Sequence, residues 1–184
     1  MDRLEKDAIL LTLIEQLKAQ ESWCGETHIQ KATYLLQDLL KVDTGFDFIL
    51  YKHGPYSFDL TDELKTMRAD SFLSLESSPP YGPVFKKGEM GDTLLGDYSS
   101  IIAKFDKEIN FVSNKLGKMR VKELEKLTTA IFIKKEGGKD DQDSLASRIN
   151  NEKPHISVQE AREAVKDAEN LLREATATVN SNPF

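Results

Sequence analysis

Cysteine is the residue this chain most conspicuously lacks. Of its 184 residues one is a cysteine, Cys24, which excludes an intrachain disulfide scaffold and any all-thiolate zinc site within one chain. It fits a reducing compartment. Long apolar runs are missing too. None approaches the ~18 residues a membrane helix needs, so no membrane partner is expected. Positive charge is in deficit: 25 Lys and Arg face 31 Asp and Glu, a net charge of -6 and a pI of about 5.2. That excludes a generally basic nucleic-acid binder but leaves room for a local basic patch. The first residues, Met1-Asp2-Arg3-Leu4-Glu5-Lys6-Asp7, have mixed charge and lack the basic and cleavage regions of a secretory signal. The expected location is cytoplasmic. No phosphate loop, Gly-x-Gly-x-x-Gly, Gly-x-Ser-x-Gly or His-Glu-x-x-His occurs, and no internal repeat or long low-complexity tract.

What is present reads as a folded chain: 39% hydrophobic and 30% charged residues, at a length suited to one domain with an appendage. Leu10, Leu13, Ile14 and Leu17 share one face of a helix over 2–20. Thr27 can cap a second helix reaching 41, whose apolar positions, from Ile29 to Leu40, cover more than one stripe and predict a buried central element. Residues 46–51 are aromatic and β-branched and predict a strand. Lys52-His53-Gly54-Pro55-Tyr56-Ser57 cannot be helical, because proline fixes φ and restricts its predecessor. Ser57 is suited to cap a third helix over 58–68 that buries Leu60, Leu64 and Met67.

A hairpin is predicted from strands 72–76 and 84–87, with the loop 77–83 too long for a tight two-residue turn. Gly88, Gly91 and Gly96 mark a loop. Helices follow over 98–116 and 121–135, a polar link over 137–143, and a short helix over 144–151 that Pro154 stops. Ser157-Val158-Gln159-Glu160 is a capping box. It opens a last helix whose Val158, Ala161, Val165, Ala168, Leu172 and Ala175 form a narrow docking seam. Residues from 176 onward carry no core pattern and are expected to fray.

Signals for chemistry are sparse. Cys24 and His28 stand at a spacing that can chelate a metal on a helix, but Gly25 intervenes and no second ligand pair is near; a core thiol and a helix-start histidine explain them. His53 has the titration range of a general base but no nucleophile to serve, and His155 reads as a turn residue. Asp140, Asp141 and Asp143 resemble part of a calcium loop, but the glycine and closing glutamate are missing. No metal, cofactor or catalytic residue is assigned. Lys86 and Lys87 on the hairpin, with Lys52, could touch phosphates. Against this, the third helix carries Asp59, Asp62, Glu63 and Asp70 against Lys65 and Arg68, a poor composition for a groove-reading helix. Phe48, Tyr51, Tyr56, Phe58 and Tyr81 are expected around the Gly-Pro turn, either as core or as a partner-binding surface, for which tyrosine is well suited.

Lys31-Ala32-Thr33-Tyr34-Leu35-Leu36, an aromatic strand, and then Tyr51-Lys52-His53-Gly54-Pro55-Tyr56-Ser57-x-x-Leu60-x-x-Glu63-Leu64 resemble the YwgA-like proteins and, more distantly, the Panacea domain of SocA-like antitoxins. The resemblance covers roughly residues 5–135, and Lys153-Pro154-His155-Ile156-Ser157 is similar to the C-terminal part of such proteins. It implies a winged-helix-like fold without catalysis, and roles in toxin neutralisation, protein binding or phage and mobile-element biology.

The sequence therefore predicts a non-enzymatic α+β protein, mostly helical. A winged-helix-like core with a β-hairpin wing spans 1–97, a helical subdomain packed on it 98–176, and a frayed tail 177–184. The expected function is binding of another protein, antitoxin-like or in a phage-related regulatory role, through Tyr51, Lys52, His53, Tyr56 and Phe58. The alternative is a DNA-binding transcriptional regulator using Lys52, Lys86 and Lys87.

Overall fold

The computed structural model describes residues 1–79, 81–137 and 140–180, apart from the side chains of Tyr81, Val179 and Asn180. Helix α1 (Arg3–Ala19) starts at a reciprocal cap: the Glu5 amide donates to Asp2 Oδ1 at 2.9 Å and the Asp2 amide to Glu5 Oε2 at 2.8 Å. Helix α2 (Glu26–Asp38) is central, as its apolar pattern predicts. Its cap is Gly25 rather than Thr27, which lies inside the first turn.

The strand expected over 46–51 is shorter, and it belongs to a hairpin the sequence reading missed. β1 (Ile49–Tyr51) pairs antiparallel with β2 (Gly54–Tyr56), in register Ile49↔Tyr56 and Tyr51↔Gly54. Residues 46–48 stay outside the ladder because Gln37 occupies their backbone: its Nε2 donates to the Phe46 carbonyl at 2.7 Å and its Oε1 accepts from the Phe46 amide at 2.9 Å. Helix α3 (Phe58–Ala69) opens on Ser57, whose hydroxyl accepts from the Leu60 amide at 3.2 Å.

The second hairpin, β3 (Leu73–Ser78) with β4 (Tyr81–Lys87), is longer than predicted. Pairing continues past an irregularity between Glu76 and Ser78 to Ser78↔Tyr81, so most of the expected loop is strand; Pro80 lies outside the described residues. Pro83 is tolerated because a two-stranded sheet consists of edges. The glycines expected in a loop partly form helix α4 (Gly91–Asp97). The helix predicted over 98–116 divides at Phe105 into α5 (Ser99–Lys104) and α6 (Asp106–Leu116). The bend lets both halves follow α1: α5 lies on it half-exposed, whereas α6 buries Ile109, Val112 and Leu116.

Helices α7 (Val121–Gly137) and α8 (Gln142–Glu152) follow, the latter capped by Asp141; Gly138 and Lys139 of the predicted link lie outside the described residues. The Ser157–Glu160 box opens α9 (Val158–Asn180) as expected: the Ser157 amide donates to Glu160 Oε2 at 3.0 Å and the Glu160 amide to Ser157 Oγ at 3.3 Å. The buried seam is Ala161, Ala164, Val165, Ala168, Leu171 and Ala175. Val158 is exposed and Leu172 half-buried, because a straight helix drifts from a strict seven-residue repeat. The helix also runs past its predicted end at 176, with the Thr176 and Thr178 hydroxyls bonded back to the Leu172 and Glu174 carbonyls. Residues 181–184 of the predicted frayed tail lie outside the described residues.

The chain is thus α+β and mostly helical, with two small antiparallel hairpin sheets among the described residues. One cluster of buried side chains runs from Ala8 to Ala175. α6 packs on α1 and α2, α7 on α2 and β2, and α8 and α9 on α7.

Candidate functional site

The Gly-Pro segment is held from beneath by three polar side chains: Gln30, which the sequence reading did not name, and Lys31 and Lys153, which open two of its motifs without a role assigned. From α2, the buried Lys31 ammonium donates to the Pro55 carbonyl at 2.7 Å. The preceding residue, Gln30, grips Ser57 twice: its Nε2 donates to the Ser57 carbonyl and its Oε1 accepts from the Ser57 amide, both at 2.9 Å. After α8, the Lys153 ammonium donates to the Tyr51 carbonyl and, at 3.0 Å, to that of Lys52. Burial pushes Lys31 down to about 8 and lowers Lys153, with Glu125 of α7 opposing both shifts. Gly54 takes φ +89, and a Cβ there would stand 3.1 Å from Thr129 Oγ1 and 3.2 Å from Thr128 Oγ1. Both the conformation and the close approach to α7 call for glycine.

This support turns an aromatic face outward. In the hairpin register Ile49, Tyr51 and Tyr56 share one side. Tyr51, Tyr56 and Phe58 pack in mutual contact, with ring centroids 5.0–5.7 Å apart. Yet Ile49 is 48%, Tyr51 50% and Phe58 55% exposed. The Tyr56 hydroxyl lies 2.6 Å from Thr61 Oγ1, which donates to Glu26 Oε1 at 2.6 Å. Phe48, expected in the same cluster, instead turns inward onto Tyr34 at 5.3 Å. The Tyr81 side chain lies outside the described residues.

The other side of the same turn forms a cleft of about 830 Å³. Its floor is Glu125, almost fully buried, and two histidines converge on that carboxylate. His53 Nδ1 lies 3.6 Å from Oε2 and His155 Nε2 3.0 Å from Oε1. The two histidines are 102 positions apart in sequence with no motif linking them, which is why the residues alone give no sign of this arrangement.

The remaining candidates are dispersed. His28 Nε2 meets the Leu116 carbonyl at 2.9 Å, and the Cys24 thiol the Ile14 carbonyl at 3.5 Å. Burial pushes that thiol up to about 11, so it is a poor nucleophile. Among the described residues no group of three His, Cys, Asp or Glu is placed to hold a metal ion. Asp141 caps α8, Asp140 pairs with Arg148 at 2.9 Å and Asp143 with Arg162 at 2.8 Å. Lys86 pairs with Glu76 across the second hairpin, and Lys87 with Asp92 at 2.6 Å and Glu15 at 3.8 Å. Lys52 lines the cleft, whose lining does not include Lys86 or Lys87. No helix among the described residues is long and apolar enough to cross a membrane. No protein-family model matches this chain, and a search of curated proteins finds no match.

Proposed function

We propose that this chain is a non-enzymatic protein-binding module, antitoxin-like or a phage- or mobile-element-associated regulator, and that its partner docks on the face of Tyr51, Tyr56 and Phe58. The observation that carries this reading is the contrast between support and exposure. The backbone segment that bears three aromatic rings is clamped by hydrogen bonds from Gln30, Lys31 and Lys153 to its carbonyls, yet two of the rings leave half their surface in water. A rigid aromatic face loses little conformational freedom on binding, which is why tyrosine and other large rings dominate interface hot spots.

The element order α1, α2, β1–β2, α3, β3–β4 supports a winged-helix-like core, with the β3–β4 hairpin in the place of the wing and β1–β2 as an addition. The DNA-binding alternative draws less support. Both wing lysines already have carboxylate partners, and α3 presents Asp59 and Asp62 on its exposed side.

Co-expression with the product of the adjacent gene tests the proposal. Wild-type protein should relieve growth arrest by that product and co-purify with it. Tyr51→Ala and Phe58→Ala should each stay within about 1 kcal/mol of wild-type stability while weakening capture by about 2 kcal/mol or more. Variants that melt far below wild type, or capture the partner undiminished, would show that the rings serve the fold instead.

A further inference from the structure

The cleft around Glu125 is separate from the aromatic face, and its charges are unevenly matched. It is lined by four lysines, Lys52, Lys122, Lys126 and Lys153, by His53 and His155, and by three carboxylates, Glu125, Glu152 and Glu160. Most of that negative charge is already engaged. Glu125 meets both imidazoles and is the carboxylate acting on the buried ammonium groups of Lys31 and Lys153. Glu160 closes the α9 cap and lies 3.6 Å from Lys126. Glu152 acts on Lys153. Lys52 and Lys122 have no hydrogen-bonding or ion-pair partner for their ammonium groups among the described residues. Both are exposed at the mouth of the cleft. Val121 and Lys122, the first residues of the 17-residue α7, also line it, so the positive end of that helix adds to the same field. In a chain whose net charge is -6, this is a concave place where cations exceed anions.

We propose that this cleft binds a phosphorylated small molecule of about mononucleotide size. The volume lies within the range of small-molecule pockets. The spare lysines and the α7 terminus suit a phosphoryl group. Val121 and Ile156 give an apolar wall for the rest of the ligand. Glu125 has a positioning role. By holding His53 Nδ1 and His155 Nε2 it leaves the second nitrogen of each ring for other contacts.

Isothermal titration of the full chain with inorganic pyrophosphate, AMP and adenosine, at about pH 6 and constant ionic strength, tests this. AMP should bind saturably, and adenosine should not bind. Pyrophosphate matching AMP would assign recognition to the phosphoryl group alone, and weaker pyrophosphate binding would assign part of it to the apolar wall. Lys52→Gln combined with Lys122→Gln should weaken AMP about tenfold with an unchanged melting temperature. Absence of saturable AMP and pyrophosphate binding at about pH 6, or equal binding by the double lysine variant, would overturn the proposal. Duplex DNA bound in place of both would overturn it in favour of a nucleic-acid surface.

Discussion

Asp7 is fully buried in α1, and neither carboxylate oxygen has a hydrogen-bond partner. Arg3 approaches only to 3.5 Å and is itself bonded to Glu63 and Asp70. Burial, reinforced by the Glu63 charge and opposed by Arg3, pushes Asp7 up to about 7. In the unfolded chain it titrates near ~3.9. Between those values the folded protein holds a proton that the unfolded chain has released, so stability falls as pH rises through the interval and levels off above about pH 7. Asp7→Asn removes the effect. The variant should gain on the order of 2–4 kcal/mol over wild type between about pH 4 and pH 8, read from urea midpoints at each pH. A constant difference between the two proteins would show that Asp7 stays ionised throughout. Nothing in the sequence marks this aspartate, since it occupies a helical position where a solvated face is the ordinary reading.

The β1–β2 hairpin depends on Gly54. Ala in its place would need the positive φ and would crowd Thr128 and Thr129, so Gly54→Ala should cost about 1–3 kcal/mol and release the turn, seen as loss of amide protection in the β1–β2 ladder. The α9 box makes a second claim of this kind. Ser157→Ala should cost about 0.5–2 kcal/mol, and an unchanged urea midpoint would mean that α9 docks without contributing to the cooperative unit. Both motifs were legible because each is local. Ser57, Ser157 and the turn at Gly54-Pro55 are set by residues within four positions. The hairpin itself was not, because strands of three residues carry no periodicity. The division at Phe105 was hidden for the opposite reason: Ile101, Ile102, Phe105 and Ile109 keep helical spacing across a bend that only the surface of α1 explains.

A single buried cluster joins both halves of the chain. Removal of residues beyond 97 would uncover the faces of α1 against α5 and α6 and of α2 against α6 and α7. A fragment of residues 1–97 should therefore show no cooperative melt, whereas the full chain should unfold in one transition with coincident near- and far-ultraviolet circular dichroism. Two separate transitions would instead assign independent stability to the C-terminal helices. The sequence periodicity found most of these helices but not Glu125, Lys31 and Lys153 as a unit. They lie on three elements, and a charged residue on a mostly apolar helix gives no hint of which backbone carbonyl or imidazole it will meet.

The bond from Lys153 to the Tyr51 carbonyl spans 102 residues, and this sets an order of events during synthesis. The hairpin bearing Tyr51 leaves the ribosome long before the ammonium group that fastens it, and closing so long a loop is slow compared with forming α1 or α2. The aromatic face therefore acquires its final shape only once α8 has been made and packed on α7. A partner that recognises the fastened face would discriminate finished chains from nascent or truncated ones.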